Sequence, residues 1–234
     1  MRQLGLPGLV LAEAPSLESF WPGANGDAAA AVQQMADGAR IPMVFLHGPG
    51  GVGKTHLLKA AWRRAQEAGR RGGYLPLEQA LMLDPALIEG WGELDFVALD
   101  GIEHVAGFAL WQRALFRLSE ELRERDAGLL VAARHPPDAL GLELVDLASR
   151  LAWGPVYALA PLDDADLAAL AGHLARTRGL KLPDAVANFL VRRIARDPQH
   201  VALAIARLDE AALAAQRRLS IPFARSVLLD ETKA

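Results

Sequence analysis

Two kinds of hydrophobic pattern alternate between residues 25 and 160. Short runs of consecutive apolar residues, such as Val44-Phe45-Leu46, are typical of strands that are covered on both faces of a sheet. Longer stretches in which apolar positions recur every three or four residues predict amphipathic helices. We predict strands at 41–47, 74–77, 95–100, 129–133 and 156–159. We predict helices at 27–35, 54–68 and 108–125, and a weaker one at 78–89.

The alternation of strands and helices ends near Pro161. The segments that follow have helical periodicity with no strand between them, and they span 163–176, 183–196 and 198–217. Asp163 and Asp197 are placed to act as N-caps, and Pro198 suits a first helical turn. The pattern therefore predicts an α/β fold, with a five-stranded parallel sheet flanked by helices and a small three-helix domain after it.

The composition is typical of a soluble globular protein. The 234 residues are 52% hydrophobic and 23% charged, which excludes disorder for the bulk of the chain. The formal charge of -3 makes sequence-independent DNA binding by this chain alone an unfavoured function. The lack of cysteine excludes disulfides, thiolate catalysis and cysteine-based zinc sites. No apolar run approaches the length of a transmembrane helix.

A phosphate-binding loop is predicted where the sequence reads GPGGVGKT from Gly48 onward, because this matches G-x-x-x-x-G-K-[ST] in full. We expect Gly50, Gly51 and Gly53 to adopt positive φ, so that backbone N–H groups turn toward phosphate oxygens. The alternative is a glycine-rich turn with an incidental lysine. The predicted nucleotide-binding residues of this segment are Pro49, Gly50, Gly51, Val52, Gly53, Lys54, Thr55 and His56.

The side chains that follow the glycines have distinct predicted roles. Lys54 neutralises charge on the β- and γ-phosphates, while the helix that starts there points its positive end at them. The Thr55 hydroxyl is placed to ligate Mg²⁺. Asp100 ends the strand predicted at 95–100, where a P-loop site needs a carboxylate to hold the hydrated ion. A simple strand-capping role is the alternative for this aspartate.

Several further segments accompany the phosphate loop in a particular order. They are FWPG at 20–23, DFVALDGIE at 95–103, RHPP at 134–137, DLASRL at 146–151 and AAQRRLSIPF at 214–223. The set resembles the AAA+ core of the DnaA-related proteins, and most closely the Hda subgroup. The phosphate loop alone is generic, whereas the combined set is specific and covers nearly the whole chain. The resemblance implies five parallel strands and a three-helix lid domain, as the hydrophobic pattern predicts.

The resemblance also implies a function in the control of DNA replication. Hda-like proteins bind the sliding clamp (the beta subunit of DNA polymerase III) on DNA, contact ATP-bound DnaA and trigger hydrolysis of its ATP, which prevents re-initiation. Arg150 lies at the arginine-finger position, from which a guanidinium reaches a neighbouring subunit's γ-phosphate. The resemblance further implies a resident ADP or ATP with Mg²⁺, indirect contact with DNA, cytoplasmic location and possible homo-oligomers.

The N-terminal residues read MRQLGLPGLVLAEA. An arginine before an apolar run imitates a signal peptide, but glycine and proline interrupt the run where a signal needs a helix. Clamp-binding peptides of the subgroup resemble Gln-Leu-x-Leu-Pro-Leu, from which Gly8 departs while Leu9 is placed to supply the last apolar anchor. Such peptides dock in extended form with leucines in pockets; a disordered terminus is the alternative. The predicted clamp-binding residues are Gln3, Leu4, Leu6 and Pro7.

Three positions depart from the family pattern. Gly101 stands where many AAA+ ATPases carry a second carboxylate that polarises the attacking water. Arg134 takes the first sensor position, and the second sensor falls near Gln199 or His200, without its usual positive charge. We therefore expect weak intrinsic hydrolysis and a nucleotide that acts as a structural ligand. The nearby acid–base candidates, which are otherwise surface residues, are Glu103 and His104.

The predicted organisation is a clamp-binding peptide at 1–14, an AAA+ nucleotide-binding domain at 15–160 and a lid at 161–234. The base pocket is expected at the start of the chain and at the domain junction, although plain core packing is an equal alternative for its aromatic members. Its predicted residues are Phe20, Trp21, Pro22, Asn25, Pro161 and Leu162. Two other functions remain open, namely a self-contained DnaA-like or helicase-loader motor and an adaptor with a vestigial nucleotide site.

Overall fold

The computed structural model describes residues 14–194 and 197–229. They form two compact units, of which the first is Pro15–Pro161 and the second begins at Leu162. The last two residues predicted for the base pocket, Pro161 and Leu162, therefore fall in different units. Among the described residues, every helix is too short or too polar to cross a membrane.

The first unit is built on a sheet of five strands, all parallel to their neighbours, in the order β2-β3-β4-β1-β5. The strands are β1 (Met43–His47), β2 (Gly72–Pro76), β3 (Phe96–Asp100), β4 (Gly128–Ala133) and β5 (Val156–Ala158). In the register, His47 of β1 pairs with Ala133, and Asp100 of β3 pairs with Ala132. The carboxyl ends of β1 and β3 thus lie at the same edge, where ligands bind in open α/β sheets. The predicted parallel-sheet fold is confirmed.

Helices cover both faces of this sheet. One face carries α1 (Gly26–Ala36) and α2 (Lys54–Glu67), and the other carries α3 (Leu77–Ala80), α4 (Ala109–Glu124) and α5 (Val145–Leu151). Successive strand residues point to opposite faces, so Val44 and Leu46 pack under α1 and α2 while Phe45 packs on the other side. A run of consecutive apolar residues therefore fills two cores at once.

The chain between β2 and β3 differs from the prediction. The helix expected at 78–89 is replaced by the short α3 and by a single 3-10 turn at Pro85–Ile88. The Asp84 side chain caps this turn by accepting a hydrogen bond from the Ala86 backbone N–H at 2.8 Å. Proline lacks the N–H that a continuous helix would need at this point, which explains the break.

The second unit contains α6 (Asp164–Thr177), α7 (Asp184–Val191), α8 (Pro198–Ala215) and α9 (Ile221–Leu229). Asp163 and Asp197 accept hydrogen bonds from backbone N–H groups of the helices they precede, at 2.7 and 2.6 Å, so both predicted N-caps are confirmed. The helix α9 adds a fourth to the three that the sequence predicts. It packs against α7 and α8 and buries Phe223 and Ala224.

Candidate functional site

The segment between β1 and α2 has the form that a phosphate loop requires. It leads from a buried strand directly into a helix whose first residue is Lys54. Gly48, Gly51 and Gly53 have φ angles of 151°, 79° and 97°, which glycine adopts without a Cβ penalty. The positive φ predicted for Gly50 is wrong, since the positive values of this loop fall on Gly48 before it and on Gly51 and Gly53 after it.

Two of these glycines are also required by close approaches. A Cβ on Gly48 would lie 2.5 Å from the carbonyl oxygen of Leu159, directly after β5. A Cβ on Gly53 would lie 2.8 Å from Cε2 of Phe20, in the segment that precedes α1. The loop is thus held between the end of an edge strand and an aromatic ring from the start of the unit.

We expect Gly48→Ala to lower the free energy of unfolding by about 2–4 kcal/mol, because the new methyl group meets rigid backbone at a strained φ. Gly50→Ala is the matched control, since a Cβ there meets nothing within 4 Å. We expect this control to stay within about 1 kcal/mol of the wild type. Urea unfolding monitored by circular dichroism measures both values, and equal losses in the two variants would contradict the role assigned to Gly48.

The Lys54 ammonium group is folded over its own loop. Its Nζ donates hydrogen bonds to the carbonyl oxygens of Gly48 and Pro49 at 2.6 and 2.7 Å. Burial lowers the pKa of Lys54, and the nearby carboxylates of Glu103 and Asp100 act in the opposite direction. The structure thus brings the predicted phosphate-binding cation and the predicted metal-binding carboxylate into one electrostatic neighbourhood.

Asp100 is oriented by a tyrosine from the neighbouring strand. The Tyr74 hydroxyl donates to Asp100 Oδ2 at 2.9 Å, and burial, followed by the charge of Asp100, raises the pKa of Tyr74. Thr55 is exposed in the first turn of α2. A hydroxyl and a carboxylate are oxygen ligands of the kind that Mg²⁺ takes, with water and phosphate oxygens completing the shell, so these residues fit the predicted ion. The described part of the chain holds no cluster of three or more His, Cys, Asp or Glu suited to a metal.

The residue after Asp100 is a turn residue. Gly101 has a φ of 78°, and a Cβ there would lie 2.8 Å from Cδ2 of His104. Oε1 of Glu103 lies 3.7 Å from Nε of Arg134, whose side chain is 69% exposed. Oε2 of the same carboxylate is buried and has no hydrogen-bond partner among the described residues. The positive φ of Gly101 and its close approach to His104 mean that an Asp or Glu at this position would strain the backbone, which explains the glycine found there.

His56 anchors the segment that precedes α1. Its Nε2 lies 2.9 Å from the carbonyl oxygen of Ser16 and 3.3 Å from Oγ of Ser19, and its ring centroid lies 5.8 Å from that of Phe20. Burial lowers the pKa of His56, which the hydrogen bond to Ser16 opposes. The side chain of His56, which the sequence predicts to bind nucleotide, thus contacts the segment before α1, and the loop motif alone does not predict these contacts.

We expect acid to weaken the packing around His56. Folding lowers its pKa, so this stabilisation is complete above the unfolded-state value of about 6.5 and declines as the pH falls below it. The free energy of unfolding should therefore fall between about pH 7.5 and 5.5, and His56→Asn should reduce that fall. Burial also lowers the pKa of His47, so His47→Asn is the comparison variant that removes the other contribution. A His56→Asn profile identical in slope to the wild type would contradict this assignment.

The first residues predicted for the base pocket lie at the start of the unit. Trp21 and Pro22 are half-buried, and Asn25 is 5% exposed. The Asn25 side chain donates to the carbonyl oxygen of Ala160 at 2.9 Å and accepts from the backbone N–H of the same residue at 2.8 Å. This reciprocal pair explains the buried amide structurally and joins two segments that are far apart in the sequence.

Arg150, in the last turn of α5, is held by its own chain. Its Nη2 donates a hydrogen bond to Oε2 of Glu120 at 2.9 Å. Its Nε lies 2.6 Å from Oε1 of the same carboxylate, which is an ion pair without the angle of a hydrogen bond. The guanidinium carbon lies 3.6 Å from the ring centroid of Trp153 and 5.8 Å from that of Phe116. The Arg150 side chain is 19% exposed. Glu120 and Trp153 are functional candidates that the sequence pattern did not identify.

Two remaining predictions concern other parts of the chain. The second-sensor region begins α8 in the second unit, where Nδ1 of His200 lies 3.2 Å from Oδ2 of Asp197. This contact supports the helix N-terminus. The predicted clamp-binding residues lie outside the described residues, and they are Gln3, Leu4, Leu6 and Pro7.

Two family models match different parts of the chain. The model described as the bacterial DnaA ATPase domain matches residues 11–80, which include the predicted phosphate loop. The model described as the Hda lid domain matches residues 163–228, which include α6, α7 and α8. The first match lies mainly in the first unit, and the second lies within the second unit.

Several solved structures share the fold. Domain III of the replication initiation protein DnaA from Thermotoga maritima is 24% identical, with a TM-score of 0.78, 96% of this chain covered and 99% of that one. AMPPCP-bound DnaA from Aquifex aeolicus is 22% identical, with a TM-score of 0.73 and coverages of 84% and 65%. The RuvB Holliday junction branch migration motor from Thermotoga maritima is 17% identical, with a TM-score of 0.69 and coverages of 92% and 71%.

Proposed function

We propose, on the premise that this chain is a DnaA-related AAA+ protein of the Hda type, that it is a nucleotide-bound negative regulator of replication initiation. Together with the DNA-loaded sliding clamp, it stimulates hydrolysis of the ATP bound to DnaA. The match of residues 163–228 to the Hda lid carries this proposal, because the fold alone is shared with a protein of other function, the RuvB branch migration motor.

The phosphate loop supports binding of ADP or ATP in the first unit. Backbone N–H groups of the loop and the positive end of α2 attract phosphate oxygens, and Lys54 adds a full positive charge. Thr55 and Asp100 would hold Mg²⁺, which when bound neutralises phosphate charge. A DnaA with AMPPCP bound is among the structural neighbours, which supports the same ligand class here.

The chain's own hydrolysis is slow in this proposal. Gly101 occupies the turn where a second carboxylate would polarise water, and Glu103 is engaged with Arg134. Water positioning and electrostatic stabilisation supply most of the rate in phosphoryl transfer, so their loss leaves binding intact while turnover falls. The bound nucleotide then stabilises one conformation of the regulator by mass action.

The catalytic contribution to the partner comes from Arg150 in trans. A guanidinium presents paired N–H donors to phosphate oxygens and neutralises the charge that develops during transfer of the γ-phosphoryl group. DnaA supplies the ATP, the metal site and the water, and the regulator supplies this one cation. The clamp-binding peptide, with Gln3 and Leu4 as its first anchors, concentrates the regulator on DNA near its target.

A reconstituted reaction with ATP-bound DnaA, sliding clamp and DNA tests the proposal. We expect DnaA-bound ATP to be hydrolysed faster only when the regulator and the clamp-loaded DNA are both present. Gln3→Ala with Leu4→Ala should remove the clamp dependence and leave nucleotide binding unchanged. Absence of any stimulation by the wild-type chain would refute the regulatory function.

A self-contained AAA+ ATPase is the second candidate function, which the shared fold with the RuvB motor favours. Its discriminating property is ATP turnover by the purified chain without clamp or DnaA. The regulatory function predicts turnover that remains far below that of a motor, while the motor requires the opposite. The same purified sample shows which nucleotide is bound, by chromatography of the ligand released on denaturation.

A further inference from the structure

The Arg150 guanidinium is enclosed by groups of its own chain. Glu120 meets two of its nitrogens, Nε and Nη2, at 2.6 and 2.9 Å, and Trp153 covers its face at 3.6 Å. Arg123 lies beside the same two groups. Its Nη2 is 3.4 Å from Oε2 of Glu120, and its guanidinium carbon is 5.0 Å from the Trp153 ring centroid. In this arrangement the side chain that is proposed to act on a partner's phosphate is occupied within its own unit.

We propose that Glu120 and Trp153 form a holding site that keeps Arg150 withdrawn until a partner's phosphate competes for it. This inference rests on the proposed function, since it concerns how the same arginine is delivered. Glu120 is a positioning residue here, because it acts only through Arg150. The free regulator then exists mainly in the withdrawn form, and only a small fraction presents the arginine.

The holding site leaves one nitrogen of the guanidinium without a hydrogen bond, so a phosphate group that accepts from all of its donors binds Arg150 more favourably. Nη1 of Arg150 is buried and has no hydrogen-bond acceptor among the described residues. A carboxylate offers two oxygens to a guanidinium, whereas a γ-phosphoryl group offers three, together with more negative charge. A ligand shifts an equilibrium only if it binds one state more tightly than the other. A partner's phosphate binds the presenting form, in which Nη1 also gains the acceptor that it lacks in the withdrawn form.

The surroundings of the holding site leave a route for release. Trp153 is 56% exposed, so the aromatic wall of the site lies at the surface, and Glu120 is 26% exposed at its side chain. Arg150 therefore leaves by rotation of its own side chain, while the buried residues of α5 remain in place. The apparent affinity for the partner falls by the fraction of molecules in the presenting form.

Removal of the Glu120 charge should therefore favour presentation. We expect Glu120→Gln, and more strongly Glu120→Ala, to lower the regulator concentration that gives half-maximal stimulation of DnaA by roughly three- to tenfold, with little change in the maximal rate. Glu124→Gln, an exposed glutamate of the same helix, is the matched control and should behave as the wild type. This division between half-maximal concentration and maximal rate separates positioning from general damage to the fold.

A second readout follows Arg150 without any partner. Phenylglyoxal modifies accessible arginines, and peptide mass spectrometry gives the rate at Arg150 alone. We expect this rate to rise about three- to tenfold in Glu120→Gln and to stay unchanged in Glu124→Gln. An unchanged modification rate would overturn the proposal, and so would a loss of stimulation in the Glu120 variants similar to that of an Arg150 variant.

The failure of the holding site is distinguishable from the failure of the proposed function. If the wild type does not stimulate DnaA, the regulatory function and the role of the holding site fall together. If the wild type stimulates and Arg150→Ala does not, yet the Glu120 variants match the wild type in both readouts, only the holding site is refuted. Faster modification without a change in half-maximal concentration would refute it as well.

Discussion

We expect Arg150→Ala to slow the stimulated hydrolysis of DnaA-bound ATP by roughly 10³–10⁵-fold, which returns it to the unstimulated rate. An arginine finger neutralises charge that develops on the γ-phosphoryl group only in the transition state, so its loss appears in the rate of the chemical step. A single-turnover reaction with DnaA preloaded with radiolabelled ATP measures this step directly. Arg150→Lys should recover little of the lost rate, because a lysine lacks the planar fork of donors.

Two controls separate this effect from a general loss of structure. Arg117→Ala removes an exposed arginine of α4 and should leave stimulation unchanged. Arg150→Ala itself should retain nucleotide affinity and clamp binding, because neither is assigned to this side chain. A stimulated rate within a few-fold of the wild type would mean that another residue supplies the catalytic charge.

We expect Lys54→Ala to weaken binding of ADP and ATP by about 30- to 4,000-fold, since removal of a charge that contacts phosphate costs roughly 2–5 kcal/mol. The ammonium group already lies at the loop, against the carbonyl oxygens of Gly48 and Pro49. Isothermal titration with each nucleotide gives the dissociation constants. Lys59→Ala is the matched control, because it removes the other lysine of α2 and leaves the loop unchanged.

The same variant distinguishes the regulator from an adaptor with a vestigial site. If bound nucleotide stabilises the active conformation, Lys54→Ala should also lose stimulation of DnaA unless nucleotide is raised to saturate the weakened site. Full stimulation by a variant that binds no nucleotide would favour the adaptor. Undiminished nucleotide affinity in Lys54→Ala would contradict the assignment of the phosphate loop.

The elements that the sequence predicted well are those with local signals. Buried strands show as short apolar runs, and the N-caps at Asp163 and Asp197 show as aspartates before periodic segments. The helix α9 escaped prediction because it is short and gains its stability from the burial of Phe223 and Ala224 against other helices. The helix predicted at 78–89 is wrong because the weak helical periodicity of the sequence continues past Pro85, where a continuous helix is interrupted.

The candidate site divides in the same way. The motif from Gly48 to Thr55 could be recognised in the sequence because its residues are consecutive. The φ of Gly50 could not be predicted from the motif, because it depends on the conformation of the whole turn. The contacts that orient the site join residues distant in sequence, and periodicity carries no record of them. Glu120 and Arg150 are 30 positions apart, and Tyr74 and Asp100 are 26 positions apart.

The Asn25–Ala160 pair limits how far the first unit can be shortened from its N-terminal side. The amide of Asn25 meets both backbone groups of Ala160 as a neighbouring strand would, just after the edge strand β5. A chain trimmed to begin at α1 would lose Asn25 itself, together with Phe20 and the serines that bind His56. The residues ahead of the first helix are thus part of the domain's architecture, and a useful excision begins no later than Pro15.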